Sequence, residues 1–196
     1  MNESIIENAV SFVTELFRGN AGGHGADHTL RVYRNARLIA AEEPECDLFI
    51  VSLAALLHDA DDHKLFQTEN NANARGFLTK NGVSLSDAER ILAAVNAVSF
   101  SQNGDRPPET PEGKIVQDAD RLDAIGAVGV ARTFAYGGEH GRDLADSLQH
   151  FHDKLLRLKD LMNTPTGRRM AARRHDFLIA FLRQYAAETG DSADGP

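Results

Sequence analysis

Cysteine occurs once in this 196-residue chain, at Cys46, and tryptophan is absent. A lone thiol cannot close an internal disulfide, so the chain suits a reducing compartment. Cys46 also lies beside an acidic stretch, a poor setting for a thiolate nucleophile. Basic charge is in short supply: 21 Lys and Arg against 29 Asp and Glu leave a formal charge of −8. That balance argues against partners that need a basic face, namely a nucleic acid polymer or an anionic membrane. A small phosphorylated substrate stays open, because a metal and a few local cations can override the global sign. Long hydrophobic runs are missing too. The longest, Leu48 to Leu57, is too short to span a bilayer and suits a buried core helix. The first residues, Met-Asn-Glu-Ser-Ile-Ile-Glu, lack the basic and apolar regions of a signal peptide. The expectation is a cytoplasmic chain. No Gly-x-x-x-x-Gly-Lys-Ser/Thr loop, Gly-x-Ser-x-Gly elbow or CxxC pair occurs, and repeats and low-complexity tracts are absent.

What is present reads as one all-α globular domain over residues 1–196: 42% hydrophobic and 26% charged residues are ordinary for such a fold. Ser4 and Glu7 form a capping box before a stripe of Ile6, Val10, Val13 and Phe17, closed by Gly19. A second helix is expected from Ala26 to about Glu43-Pro44, and a third from about Asp47 to Asp59, apolar nearly all round. A fourth should run from Asn70 to Lys80, closed by Asn81-Gly82. Ser86 with Glu89 predicts the opening of a fifth, carrying Ile91, Leu92, Val95 and Val98. Ser101 to Pro111 reads as a loop, and Thr110-Pro111 as the cap and first residue of a helix continuing through Ile125 and Val128. Gly126 and Gly129 inside it imply close packing against another backbone. Tyr136 to Gly141 reads as a flexible loop. Leu144, Leu148, Phe151, Leu155 and Leu158 form one stripe, Thr164-Pro165 opens a last helix, and Asp191 to Pro196 is a polar tail. The C-terminal helices are expected over about 142–190.

Candidate chemistry concentrates in a few positions. His28, His58-Asp59 and Asp120 offer imidazole nitrogen and carboxylate oxygen in the order His, His-Asp, Asp, the ligand types of a divalent metal. Neighbours on a helix diverge by about 100°, so His58 and Asp59 meet at one ion only beside the helix end. The plainer reading of an isolated His-Asp pair is a helix end followed by a cap. Asp120 and Asp123 lie at i and i+3, where two carboxylates repel unless a cation or shared proton intervenes; Arg121 can partly supply it. The alternative there is a solvated face with Asp118, Asp120 and Asp123 exposed. His24 and His28 are a second geometric pair at i and i+4. Arg31, three residues after His28, is either a phosphate clamp or a surface ion pair. Asp62 and Lys64, with His63 between them, are candidates for orienting the attacking water and neutralising phosphate, against a charged surface turn.

These residues resemble the HD-domain superfamily of metal-dependent phosphohydrolases, and within it a bacterial subgroup of small single-chain proteins. The likeness rests on His24-Gly25-Ala26-Asp27-His28-Thr29-Leu30-Arg31-Val32, on the His58-Asp59 pair, and on Asp118 to Gly126 continuing through Ala131 to Gly138. It covers roughly residues 20 to 145. The resemblance implies an HD-domain helical bundle with additional C-terminal helices. It implies that His28, His58, Asp59 and Asp120 hold one divalent ion, whether Mn, Mg, Co, Ni or Fe. It further implies that Asp62 helps activate water; from the chemistry of such a centre, Arg31, Lys64 or Arg121 is expected to neutralise the negative charge that develops. His24, His63, Arg121 and Asp123 are then expected to meet the substrate. That substrate is expected to be a nucleotide or a related small phosphorylated metabolite, with nucleoside triphosphate pyrophosphohydrolysis among the family's reactions. Relatives often carry Glu-Asp after the pair where this chain has Asp62-His63. A di-iron oxygenase would need further histidines between Asp59 and Asp120, where only His63 occurs. A non-catalytic nucleotide sensor is the other alternative, and a homodimer is compatible with the sequence.

Overall fold

In the computed structural model, which describes residues 2–19, 25–63, 65–98 and 106–190, every regular element among those residues is helical. The helices are α1 (Asn2–Leu16), α2 (Ala26–Ala40), α3 (Leu48–Leu57), α4 (Ala72–Lys80), α5 (Leu85–Val98), α6 (Pro111–Asp123), α7 (Gly126–Glu139), α8 (Leu144–Asp153) and α9 (Pro165–Thr189), with a 3-10 helix over Leu155–Leu161. None of the described helices is long and apolar enough to cross a membrane. The chain divides into two compact units, residues 1–120 and 121–196. The division falls inside α6.

The first unit is built around α3. Asp47 starts this helix by accepting hydrogen bonds from Phe49 N at 3.0 Å and Ile50 N at 3.4 Å, which satisfies two of its orphan donors. Every residue from Ile50 to Leu57 is buried, with α1, α2 and α5 packed around it. Each fully buried leucine or isoleucine there contributes on the order of 2 kcal/mol from removal of apolar surface. The start of α3 is held by Arg90 of α5, whose guanidinium lies 3.2 Å from Asp47 Oδ2 and 2.9 Å from Glu112 Oε1 of α6. Glu112 closes the ring by accepting from Asp47 N at 3.2 Å. With its start clamped and its sides buried, α3 presents its C-terminal residues in a fixed place.

In the second unit, α9 packs on α7 and the 3-10 helix, and α8 packs on both of these. Its buried core is mainly aliphatic around Phe151, including Leu122, Ile125, Leu155 and Leu178, and half-buried Phe134 and Phe181 join Phe151 with ring centroids 5.8 to 6.0 Å apart. Thr164 caps α9 as expected, accepting from Gly167 N at 2.9 Å, with Pro165 in the first turn.

Several boundaries differ from the sequence expectation, each for a local reason. Ser4 lies inside α1, which begins at Asn2. Asn70 and Asn71 both take φ of 55°, a left-handed conformation that cannot continue a right-handed helix, so α4 starts at Ala72. Ser84, and not Ser86, caps α5: its Oγ accepts from Asp87 N at 3.1 Å and donates to Asp87 Oδ2 at 2.8 Å. The helix begun at Pro111 ends at Asp123, because Gly126 adopts φ of +74° and restarts the chain as α7. Arg174 donates to the carbonyl of Leu122, one of the acceptors this ending exposes. Tyr136 to Glu139 are helical and not a loop; Gly137 is buried there, and a Cβ on it would lie 2.5 Å from Ser147 Oγ. Residues 101–105 of the expected loop, and the tail from Asp191, lie outside the described residues; residues 106–110 of that loop are non-helical.

Candidate metal centre

Three elements of the first unit deliver the side chains. His28 sits in the first turn of α2, His58 ends α3 with Asp59 following, and Asp120 lies on α6. Each of His28, His58 and Asp120 offers a ligand atom within 4.8 Å of the other two. The two Nε2 atoms stand 3.3 Å apart. Asp120 Oδ1 lies 3.3 Å from His28 Nε2 and 3.9 Å from His58 Nε2. Asp59 joins through the imidazoles, its Oδ2 3.5 Å from His28 Nε2 and 3.3 Å from His58 Nε2. Adjacent ligands about 2.1 Å from an octahedral ion are about 3.0 Å apart, so this spacing fits one hard or borderline divalent cation. His58 Nδ1 donates to Ala55 O at 2.8 Å, an arrangement that turns the Nε2 lone pair towards the cluster. The histidines and Asp59 are largely enclosed, while the Asp120 side chain keeps 37% of its surface exposed. Solvent therefore reaches the cluster at Asp120.

The electrostatics match a cation site. Burial opposes charge on His58, yet the Asp59 carboxylate by charge and hydrogen bond, the Asp120 charge and the Ala55 carbonyl together push its pKa up to about 9. Burial would raise the Asp120 carboxyl, but the hydrogen bond and charge of His28 and the charge of His58 outweigh it and hold the group below the usual range. A proton on His58 thus occupies the place a cation would take. Below pH 9 an entering divalent ion must displace it, so apparent affinity should weaken by up to tenfold per pH unit as pH falls. Titration calorimetry at pH 7 in buffers of differing ionisation enthalpy should show about one proton released per ion bound; buffer-independent heats would contradict this.

The other expected site residues fall into distinct settings. Asp62 is held three residues past Asp59 by a tight turn in which Asp62 N donates to Asp59 O at 3.1 Å and Phe66 N donates to Asp62 O at 2.8 Å. Its mostly enclosed carboxylate lies 3.6 Å from Nδ1 of the exposed His63. Arg31 is half-buried one turn after His28 on α2. His24 and Lys64 lie outside the described residues. Arg121 and Asp123 belong to the second unit and are engaged within it. Arg121 donates to the Leu161 carbonyl, and Asp123, 1% exposed, accepts from Arg132 Nη1 at 2.5 Å. Asp118 is also fully buried, which excludes the solvated-face alternative for the acidic string.

One supporting residue had no local signal. Asp61 accepts from Asn73 N at 2.9 Å and Ala74 N at 3.0 Å, capping α4, and Asn73 Nδ2 donates to Ala60 O at 2.8 Å. These bonds pin the turn directly after the His58-Asp59 pair to a helix twelve residues downstream, a partnership that only the folded chain reveals.

Comparison with known proteins gives the same arrangement a wider setting. A family model described as HD domain matches residues 25–125. The YpgQ protein of Bacillus subtilis strain 168, described as uncharacterized, is 42% identical over 186 residues, spanning 91% of this chain and 90% of its own length. The crystal structure of Bacillus subtilis YpgQ in complex with ADP is similar with a TM-score of 0.81 at 39% identity, over 93% of this chain and 97% of that one. A Bacillus thuringiensis protein described as an HD-superfamily hydrolase has a TM-score of 0.81 at 36% identity, over 98% and 100% of the two chains.

Proposed function

The chain belongs to the HD domain family, and from that premise we propose that it is a metal-dependent phosphohydrolase acting on a nucleotide or a related small phosphorylated metabolite. The observation that carries this reading is the convergence of His28, His58 and Asp120 within 4.8 Å of one another. The ADP complex of the similar YpgQ supports a nucleotide as the substrate class. His28, His58 and Asp120, with Asp59 as fourth ligand, would hold one divalent ion drawn from Mn, Mg, Co, Ni or Fe. Bound there, the ion supplies a Lewis acid for the phosphoryl oxygen and makes water more acidic.

The chain's own residues do the rest. The Ala55 carbonyl fixes the His58 ring so that Nε2 faces the cluster. Asp62 takes a proton from the attacking water as its oxygen bonds to phosphorus and the bond to the leaving oxygen breaks. Arg31 on α2 and Lys64 in the segment after the His-Asp pair neutralise the negative charge that develops. His24 and His63 are proposed to contribute to substrate selection, whereas Arg121 and Asp123, buried and engaged within the second unit, are not.

The test is product analysis on nucleoside mono-, di- and triphosphates with each candidate metal. The expected result is metal-dependent release of phosphate or pyrophosphate. Nucleotide bound without any product would replace this reading with a sensor that uses the same pocket.

A further inference from the structure

Asn35 is a buried amide on the inner face of α2, which also buries His28, Thr29, Val32, Ala36 and Ile39. A carboxamide at such a place needs a partner, since burying it unpaired costs roughly 1–3 kcal/mol. Its Nδ2 donates to the carbonyl of Ala119 on α6 at 3.2 Å. Ala119 immediately precedes Asp120. A carbonyl inside a helix is already served by the helical ladder, so this extra bond adds position rather than satisfaction.

His28 and Asn35 are seven residues apart, on one face of α2 and about 10.5 Å apart along its axis. The first meets the Asp120 carboxylate at 3.3 Å, and the second grips the backbone one residue before it. We propose that Asn35 is a positioning residue of the metal centre, setting the rotation and axial register of α6 against α2 so that Asp120 reaches the same point as His28 and His58. A slip of α6 by one residue moves Asp120 by about 1.5 Å and turns it by about 100°, far outside the roughly 0.2 Å that ligand distances tolerate. The proposal rests on reading the His28, His58 and Asp120 cluster as a metal site.

The test uses Asn35→Asp and Asn35→Leu in the full chain. The aspartate keeps the shape but sets an acceptor against the Ala119 carbonyl; the leucine keeps the volume and removes the donor. Manganese affinity, the visible spectrum of bound cobalt and the thermal midpoint in excess chelator are measured for both, with Asp120→Ala alongside. Manganese affinity should fall 10- to 100-fold in each Asn35 variant, with an altered cobalt spectrum, and Asn35→Leu should melt close to the parent in chelator. Should only one Asn35 variant fold, it carries the test. An affinity within twofold of the parent and an unchanged cobalt spectrum would overturn the positioning role. If Asp120→Ala also bound manganese like the parent, the metal-site reading itself would fall.

Discussion

Replacing Asp120 with alanine should cut hydrolysis more than about 100-fold and remove most of the bound divalent ion, while the protein stays folded. A ligand is worth more than the outer-shell groups that orient it, whose loss alone costs 10- to 100-fold. Asp120 is the carboxylate that α6 brings to two imidazole nitrogens, at 3.3 and 3.9 Å. Without it His28, His58 and Asp59 remain, and the solvent-facing side of the site loses its charge. Alanine is the best helix former, so α6 should persist and the defect should be local. Metal content by atomic absorption, turnover and the circular dichroism spectrum report the three parts separately. A variant that kept both its metal and its turnover would contradict the assignment.

Gly129→Ala should destabilise the second unit by about 3 kcal/mol, through overpacking against backbone. A Cβ on Gly129 would lie 2.2 Å from the Ala124 carbonyl oxygen and 2.6 Å from its carbon. No rotamer relieves that clash, because both partners are main chain in the turn between α6 and α7. For a chain of this size the thermal midpoint should drop by roughly 6–12 °C. Gly76→Ala is the matched comparison: it lies in α4 with nothing within 4 Å of an added Cβ. It should be neutral or stabilising by up to about 1 kcal/mol, since glycine disfavours helix interiors. Equal midpoints for the two variants would refute the packing account.

Much of this architecture was legible in the residues. An apolar run with a cap before it suits a buried helix, and Leu48 to Leu57, capped by Asp47, form α3. Thr164-Pro165 carried its own start signal. The two glycines near Ile125 announced close approach, and Gly129 against Ala124 is that approach, although the helix break at Gly126 went unread because a positive φ leaves no mark beyond glycine itself. Ser84 and Ser86 each precede an acid by three residues, and only the folded chain shows that Ser84, bonded to Asp87, is the cap. The Gly137-Gly138 pair suggested a loop; in the fold Gly137 is buried in a helix, close against Ser147 ten residues on.

At the site, the spacing of His28, His58, Asp59 and Asp120 was readable as a ligand pattern. Asn35 was not, since a single amide on an inner helix face is only a blemish until the facing carbonyl is known. Asp123 looked like a partner of Asp120, yet its carboxylate meets Arg132, nine residues away and beyond a helix break.

The most direct measurement is turnover of a nucleotide as manganese is returned to chelator-treated protein. The account predicts no hydrolysis after chelation and full recovery at one ion per chain, at a pH where the entering ion displaces the His58 proton into solvent. Hydrolysis that survives chelation, or recovery that never saturates at one ion, would contradict it.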